Sequence, residues 1–270
     1  PAGKRNILVI ALCAGWNPPT MRPSRTGGLW LLPLLFLLPA VCAAQSSPLG
    51  IERQTELVDP RDAGWFYRPE RVESEKPEEL LDLLGIKEGD VVADIGAGAG
   101  FFSLRAAERV GPTGKVLAVD VQPEMVDGLR IMMKRFGHEN IVPILGSVDD
   151  PKLPADSVDH VLIVIAYHEF SHPVEMMRHL RRAMKRNAQM LIVEYKAENP
   201  DSWVDPLHKM SEAEIMQELP ALGFRRDRVI DIIPSQHVFV FKKTEADQAQ
   251  AWSIGRTDVL RADTYRLTAS

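Results

Sequence analysis

The chain reads as an α/β protein, a mostly parallel sheet with helices on both faces. Three features lead there. Val91-Val92-Ala93-Asp94-Ile95 is a short apolar run that enters three glycines at every second position, Gly96, Gly98 and Gly100, and then the helix-forming stretch 101–109. The run 115–120 is a second strand pattern, ending in an acid, Asp120, about 20 residues beyond Gly98. The run 157–166 is long and β-branched, as expected of a central strand covered on both faces. A strand, a glycine turn and a helix start form the setting in which a nucleotide-like ligand meets backbone N–H groups. The glycines keep Cβ atoms out of its way.

The chain has 270 residues, 45% apolar and 26% charged, ordinary for a globular protein. Its net charge of −5 is uneven, because residues 1–44 hold Lys4, Arg5, Arg22 and Arg25 and no acids. The remainder is more acidic still, which disfavours nucleic acid as an electrostatic partner. From Met21, two arginines, a leucine-rich run over 29–38 and the small residues around Ala40, Ala43 and Ala44 have the layout of a secretory signal peptide. Cleavage after Ala43 or Ala44 would make the protein periplasmic or secreted. An uncleaved leader would anchor it, the one membrane contact expected, and an unused leader would leave it cytoplasmic. A lipoprotein reading through Cys42 competes, with bulky Val41 against it. Both cysteines, Cys13 and Cys42, lie in this front end, so residues 45–270 offer no disulfide, thiolate metal site or cysteine nucleophile.

The order of elements follows. Residues 45–76 are polar and irregular, with an aromatic knot at Trp65-Phe66-Tyr67 beside Arg68 and Arg71. Residues 77–85 read as a short helix, with Pro77 first, acids in the first turn and Gly85 at the stop. After the first glycine loop and helix, residues 111–114 turn the chain into the strand ending at Asp120. A helix to about Phe136 and a third strand over 140–147 come next, then the central strand and a helix over 173–185. A turn at 185–188 leads to a fifth strand, 190–195. An irregular insertion spans 196–210, Ser211 and Glu214 form a capping box for a further helix, and 228–233 with 238–241 make a final strand pair.

The pattern acid-x-Gly-x-Gly-x-Gly at Asp94, Gly96, Gly98 and Gly100, with Asp120 beyond it, resembles the first motifs of class I S-adenosylmethionine (SAM) methyltransferases. The dinucleotide fingerprint would instead need a glycine where Phe101 stands. The resemblance covers about residues 77–243, leaving 1–44 as upstream segment and leader, 45–76 as a segment that either folds over the cofactor as a lid or is simply anchored to the domain by its aromatics, and 244–270 as an extension. It implies a Rossmann-like sheet of seven strands, SAM as cofactor, and methyl transfer to an acceptor for which a small molecule is the default.

The resemblance also implies site residues. Asp94, Gly96, Ala97, Gly98 and Gly100 would shape the methionine and ribose end, and Asp120 with Val121 would hold the ribose. Met125 would lie against the adenine, with Ser147, Val148 and Asp149 near its amino group and Ala166 toward the sulfonium. Here the family's Gly-Asp stretch is altered, since Ser147 follows Gly146. Tyr167, His168 and Glu169 would form the active-site floor, with His168 as base where the nucleophile carries a proton. Plainer readings stand beside these: Met125 as core, Asp149 as a solvated turn, and His168 with Glu169 as a helix cap. No metal belongs to this reading. Two other functions compete. One is a zinc hydrolase through His168-Glu169-x-x-His172 with Glu194 as third ligand, which needs both histidines on one helical face although Pro173 is better placed to start a helix. The other is a SAM-binding protein without catalysis.

Overall fold

The computed structural model describes residues 51, 53, 57–200 and 202–244. The leader expected in 1–44, and the extension beyond residue 244, lie outside these residues. The sheet is built from β1 (Val91–Ile95), β2 (Lys115–Asp120), β3 (Ile141–Leu145), β4 (Val158–Val164), β5 (Met184–Lys196), β7 (Phe224–Ile230) and β8 (Gln236–Lys243), in the order β3-β2-β1-β4-β5-β8-β7. A two-residue β6 (Lys209–Met210) pairs with β5 off this path. The expected seven strands are therefore present, with β6 as an eighth. Pairing is parallel except where β8 runs against β5 and β7.

Period-two alternation sends the strands into two cores. Ala93, Ile95, Val161 and Ile163 face α5 (Pro173–Ala183) and α6 (Glu212–Ala221), where Met177, Leu180, Ile215 and Leu219 are fully buried. Val92, Leu162 and Val164 face α2 (Pro77–Asp82) and α3 (Phe101–Val110) through Leu80, Phe102 and Ala106. Asp94, of the same parity as Val92, is carried onto the α3 face, and this parity gives Ser103 its partner. α1 (Glu70–Glu75) and α4 (Pro123–Phe136) complete the described α-helices, and Pro60–Tyr67 is a 3-10 helix started by Asp59, so the stretch read as irregular is helical over most of 60–75. Among the described residues no helix is long and apolar enough to cross a membrane.

The turn expected at 185–188 is absent. β5 starts at Met184 and continues through those residues, with a register irregularity against β4 between Val158 and His160. Lys185-Arg186-Asn187-Ala188 contains neither glycine nor proline, so nothing forces the chain to leave extended geometry. The capping box forms as read: Ser211 accepts from the Glu214 amide and the Glu214 carboxylate accepts from the Ser211 amide.

Candidate cofactor and active site

The carboxyl ends of β1, β2 and β4 open into one cavity of about 230 Å³. Its floor is the glycine turn. Gly96, Gly98 and Gly100 adopt φ of 71°, 53° and 87°, left-handed values that L side chains rarely adopt. The three do different work. A Cβ on Gly96 would lie 2.6 Å from the Ala166 Cβ, so the turn after β1 touches the turn after β4. A Cβ on Gly100 would meet Leu129 of α4 at 2.3 Å. Gly98 has nothing nearer than Phe66 at 3.9 Å, which leaves its backbone open to the cavity. Ile165, a β-branched residue at φ 52°, makes the matching turn after β4, and its amide is held by the Val193 carbonyl at 2.8 Å. A non-glycine residue in that region is strained, and here it shapes a cavity wall.

Two carboxylates face the same space. Asp94 is buried, and its Oδ2 accepts from Ser103 Oγ at 2.6 Å. Burial raises its pKa to about 6, outweighing that hydrogen bond and the nearby Arg71 charge. Asp120 closes β2. Its Oδ2 accepts from the Gly98 amide at 2.8 Å and its Oδ1 from the Gln122 amide at 2.9 Å, which ties the strand end to the glycine turn. Burial raises its pKa too, against those amides. Two desolvated acids in one cavity favour a ligand that brings positive charge and hydroxyl donors, and SAM, with an ammonium, a sulfonium and a ribose diol, has that chemistry.

Of the residues expected at the site, Asp94, Gly96, Ala97, Gly98, Asp120 and Val121 line the cavity, as do Met125, Val148, Ala166 and Glu169. Others lie elsewhere. Gly100 is buried beneath the turn, where it packs on Leu129. Asp149 is exposed and accepts from Ser147 Oγ at 2.7 Å, so both fold into a local turn rather than the wall, and that hydrogen bond lowers the Asp149 pKa. Tyr167 is fully buried in the core beside α6, its hydroxyl donating to Glu218 at 2.8 Å and its ring under the Arg53 guanidinium at 4.6 Å. His168 is also buried outside the wall: Nδ1 lies 2.7 Å from Glu194 Oε2, and Nε2 lies 3.1 Å from His208 Nδ1. Burial opposes protonation of His168, but the Glu194 carboxylate prevails and its pKa is raised. His168 does not itself line the cavity, and its ring nitrogens are engaged by Glu194 and His208. Glu169, the third member of the expected floor, does reach the wall. Burial pushes its pKa up to about 7, partly offset by His168 and reinforced by Glu194.

The zincin geometry does not form. Tyr167–Glu169 is a single 3-10 turn, Phe170 is extended, and α5 begins only at Pro173. His172 is exposed, with its Nδ1 3.0 Å from Ser171 Oγ, and is not His168's partner.

The segment before α1 contributes to the cavity wall. Leu57, Val58 and Phe66 line it, and Gln122 Nε2 donates to the Val58 carbonyl at 3.0 Å. The Tyr67 hydroxyl donates to the Ala99 carbonyl at 2.6 Å, pinning the segment to the glycine turn. Arg71, not picked out as a site residue from sequence, also lines the wall. It is buried, paired with Glu75 at 2.7 Å and held by the Phe66 carbonyl at 3.0 Å. Its sequence signal was only a positive charge close after an aromatic knot. His208 lies in an irregular insertion and had no spacing signal at all.

The profile of a family described as a methyltransferase domain matches residues 86–248. A solved structure of a SAM-dependent methyltransferase from Aquifex aeolicus is 31% identical, covers 70% of this chain and 100% of its own, and superposes with a TM-score of 0.66. Protein-L-isoaspartate O-methyltransferase 2 of Archaeoglobus fulgidus is 36% identical over 67 residues, 25% of this chain and 31% of that protein. The ubiquinone/menaquinone biosynthesis C-methyltransferase UbiE of Salmonella arizonae is 23% identical over 144 residues, 53% of this chain and 56% of that protein. The chain thus spans no more than about half the length of these curated relatives. With the glycine turn, the strand order and a profile match over most of the described residues in agreement, the chain belongs to the class I SAM-dependent methyltransferases.

Proposed function

We propose that this chain moves a methyl group from SAM to a small-molecule acceptor held between Glu169, Phe170 and Phe66. The observation that carries the reading is the cavity itself: two buried carboxylates and an open glycine backbone, walled by Leu57, Val58 and Phe66. When bound, SAM supplies an electrophilic methyl group on a sulfonium. Asp120, with lone pairs remaining beside its two amide donors, accepts the ribose hydroxyls. Asp94 and Arg71 offer opposite charges to the ammonium and carboxylate of the methionine end. Val121 and Met125 give the adenine an apolar surface. Glu169 is the acidic side chain at the end beside Ala166, where it orients the acceptor by hydrogen bonding, so that alignment rather than chemistry on the protein supplies most of the rate. One curated relative is named for quinone biosynthesis and the other for a protein substrate. The wall contributed by the segment before α1 favours the small-molecule class.

The test is titration of S-adenosylhomocysteine into the protein and its Asp120→Ala variant, followed by transfer of labelled methyl to pools of small molecules and of proteins. Loss of at least tenfold in affinity, about 1.4 kcal/mol, and label in the small-molecule pool are expected. Unchanged affinity would sink the cofactor site. Label confined to protein would reverse the acceptor class, and binding without turnover on either pool would make the chain a non-catalytic SAM binder.

A further inference from the structure

Beside the cofactor cavity, on the side away from the glycine turn, lies a second polar cluster. Glu194 of β5 is fully buried. Its Oε1 accepts the backbone amides of Tyr167 at 2.7 Å and His168 at 3.2 Å, and its Oε2 meets His168 Nδ1 at 2.7 Å. A carboxylate accepting two amide protons is an acceptor toward the ring as well, so Nδ1 carries a hydrogen, and in the neutral ring Nε2 presents its lone pair. His208 faces that lone pair. It sits on the 3-10 turn Pro206–His208, whose start is fixed by Asp205 accepting from the Leu207 amide at 2.9 Å. Glu169 Oε1 lies 3.8 Å from His168 Nε2. One donor atom from each of His168, Glu169 and His208 lies within 4.8 Å of the other two.

We propose that His168 Nε2, His208 Nδ1 and a Glu169 carboxylate oxygen form a three-ligand site for a first-row divalent cation, with zinc as the reference ion and Glu194 as the group that orients His168. Tetrahedral zinc with bonds of about 2.0–2.1 Å places its ligand atoms roughly 3.4 Å apart. His168 Nε2 lies 3.1 Å from His208 Nδ1 and 3.8 Å from Glu169 Oε1, and His208 and Glu169 offer atoms within 4.8 Å of each other, close enough for a small side-chain rotation to bring all three onto one ion. Two imidazoles and a carboxylate suit zinc or its neighbours rather than magnesium or calcium. A carboxylate behind a ligating histidine is the usual means of fixing its tautomer and orientation. Glu169 and Glu194 together balance a divalent charge, and the nearby Arg53 is committed to Glu218. The site shares His168 and Glu169 with the zincin pattern but replaces the exposed His172 by His208, and it assigns no hydrolysis.

Glu169 also lines the cofactor cavity, so a fourth coordination position borders the acceptor end. There it takes an oxygen, nitrogen or sulfur lone pair of the acceptor, a consequence that rests on the methyltransferase reading, whereas the metal site does not.

The full chain is stripped with a chelator and titrated with zinc chloride at neutral pH, bound metal being counted by elemental analysis. Cobalt chloride in a parallel sample reads the ligand set through its visible absorption. One equivalent of zinc is expected, with a cobalt spectrum of nitrogen and oxygen ligation. His208→Ala and His168→Ala should weaken zinc binding at least tenfold, and Glu194→Gln about 10–100-fold, while His172→Ala leaves it unchanged. Calorimetry with S-adenosylhomocysteine on every sample reports the fold and the cofactor site separately. Substoichiometric zinc on a chain that still binds the nucleoside overturns the proposal, as does equal zinc binding by the His208 and Glu169→Gln variants. Zinc binding without nucleoside binding would leave the metal site standing and the methyltransferase reading fallen.

Discussion

Asp94 carries a charge cost once it is ionised in its buried position, which a cationic ligand would offset. Its pKa of about 6, against the usual 3.8, means that the folded chain binds this proton more tightly than the unfolded chain does. The contribution to stability is complete below pH 3.8 and is lost as pH rises through 6, up to about 3 kcal/mol for the empty protein. Asp94→Asn keeps an acceptor for Ser103 and removes the charge. We expect it to stabilise the empty protein at pH 8 by about 1–3 kcal/mol, an advantage that vanishes near pH 4, while weakening S-adenosylhomocysteine at least tenfold. Urea unfolding at the two pH values checks the first part and calorimetry the second. A variant no more stable at pH 8 would show that the buried charge is already compensated. In the native protein the same carboxylate must be ionised to meet an ammonium, so affinity should fall as pH drops through about 6.

At the scale of elements, the turns after β1 and β4 are built against each other. Gly96 abuts Ala166 with no flexible atom between them, whereas Gly98 faces open space. The two glycines should therefore separate folding from binding. Gly96→Ala meets both a left-handed φ and a backbone-level clash, and should destabilise the domain by roughly 2–4 kcal/mol. Gly98→Ala meets only the φ penalty, about 1–2 kcal/mol, yet places a methyl group where the cofactor approaches. Chemical denaturation should rank Gly96→Ala as the less stable, and calorimetry should find folded Gly98→Ala defective in nucleoside binding. Equal stability of the two would mean that Ala166 yields. Ile165 belongs to the same device, because its strained φ sets Ala166 against Gly96.

For the whole molecule, the cavity wall comes from segments far apart in the chain: the segment before α1, the glycine turn, the β2 end and the 165–171 turn. A ligand that touches them all couples them. At a hundred times its dissociation constant, S-adenosylhomocysteine should stabilise the protein by about 2.7 kcal/mol, a rise in Tm of roughly 5–11 °C for a domain of this size. Hydrogen exchange should slow in residues 57–67 together with residues 96–100. A Tm rise without added protection of residues 57–67 would mean that this segment packs on the domain independently of the cofactor.

The glycine turn, the two strand-end acids and the alternation of strands and helices were legible in the sequence because each is local: a few neighbouring residues dictate φ, parity and capping. Those signals were enough for the five parallel strands, the helices between them and most of the residues that floor the cofactor cavity. They were not enough for the helical turns in 60–75, the two-residue β6 or the bounds of the final strand pair, which runs over Phe224–Ile230 and Gln236–Lys243 rather than 228–233 and 238–241. What lay beyond them depends on segments that meet only after folding. No spacing rule could turn Tyr167 and His168 into the interior while leaving Glu169 on the wall, because that follows from one 3-10 turn packing against Glu194, 26 residues downstream of His168. Nor could a pattern replace His172 by His208 beside His168, since the pairing requires the 196–210 insertion to return across the end of β4. Local chemistry determined where a nucleotide-like cofactor meets the chain, and tertiary contacts alone decided which side chains stand at the other end of the cavity, because those contacts join residues that the sequence keeps apart.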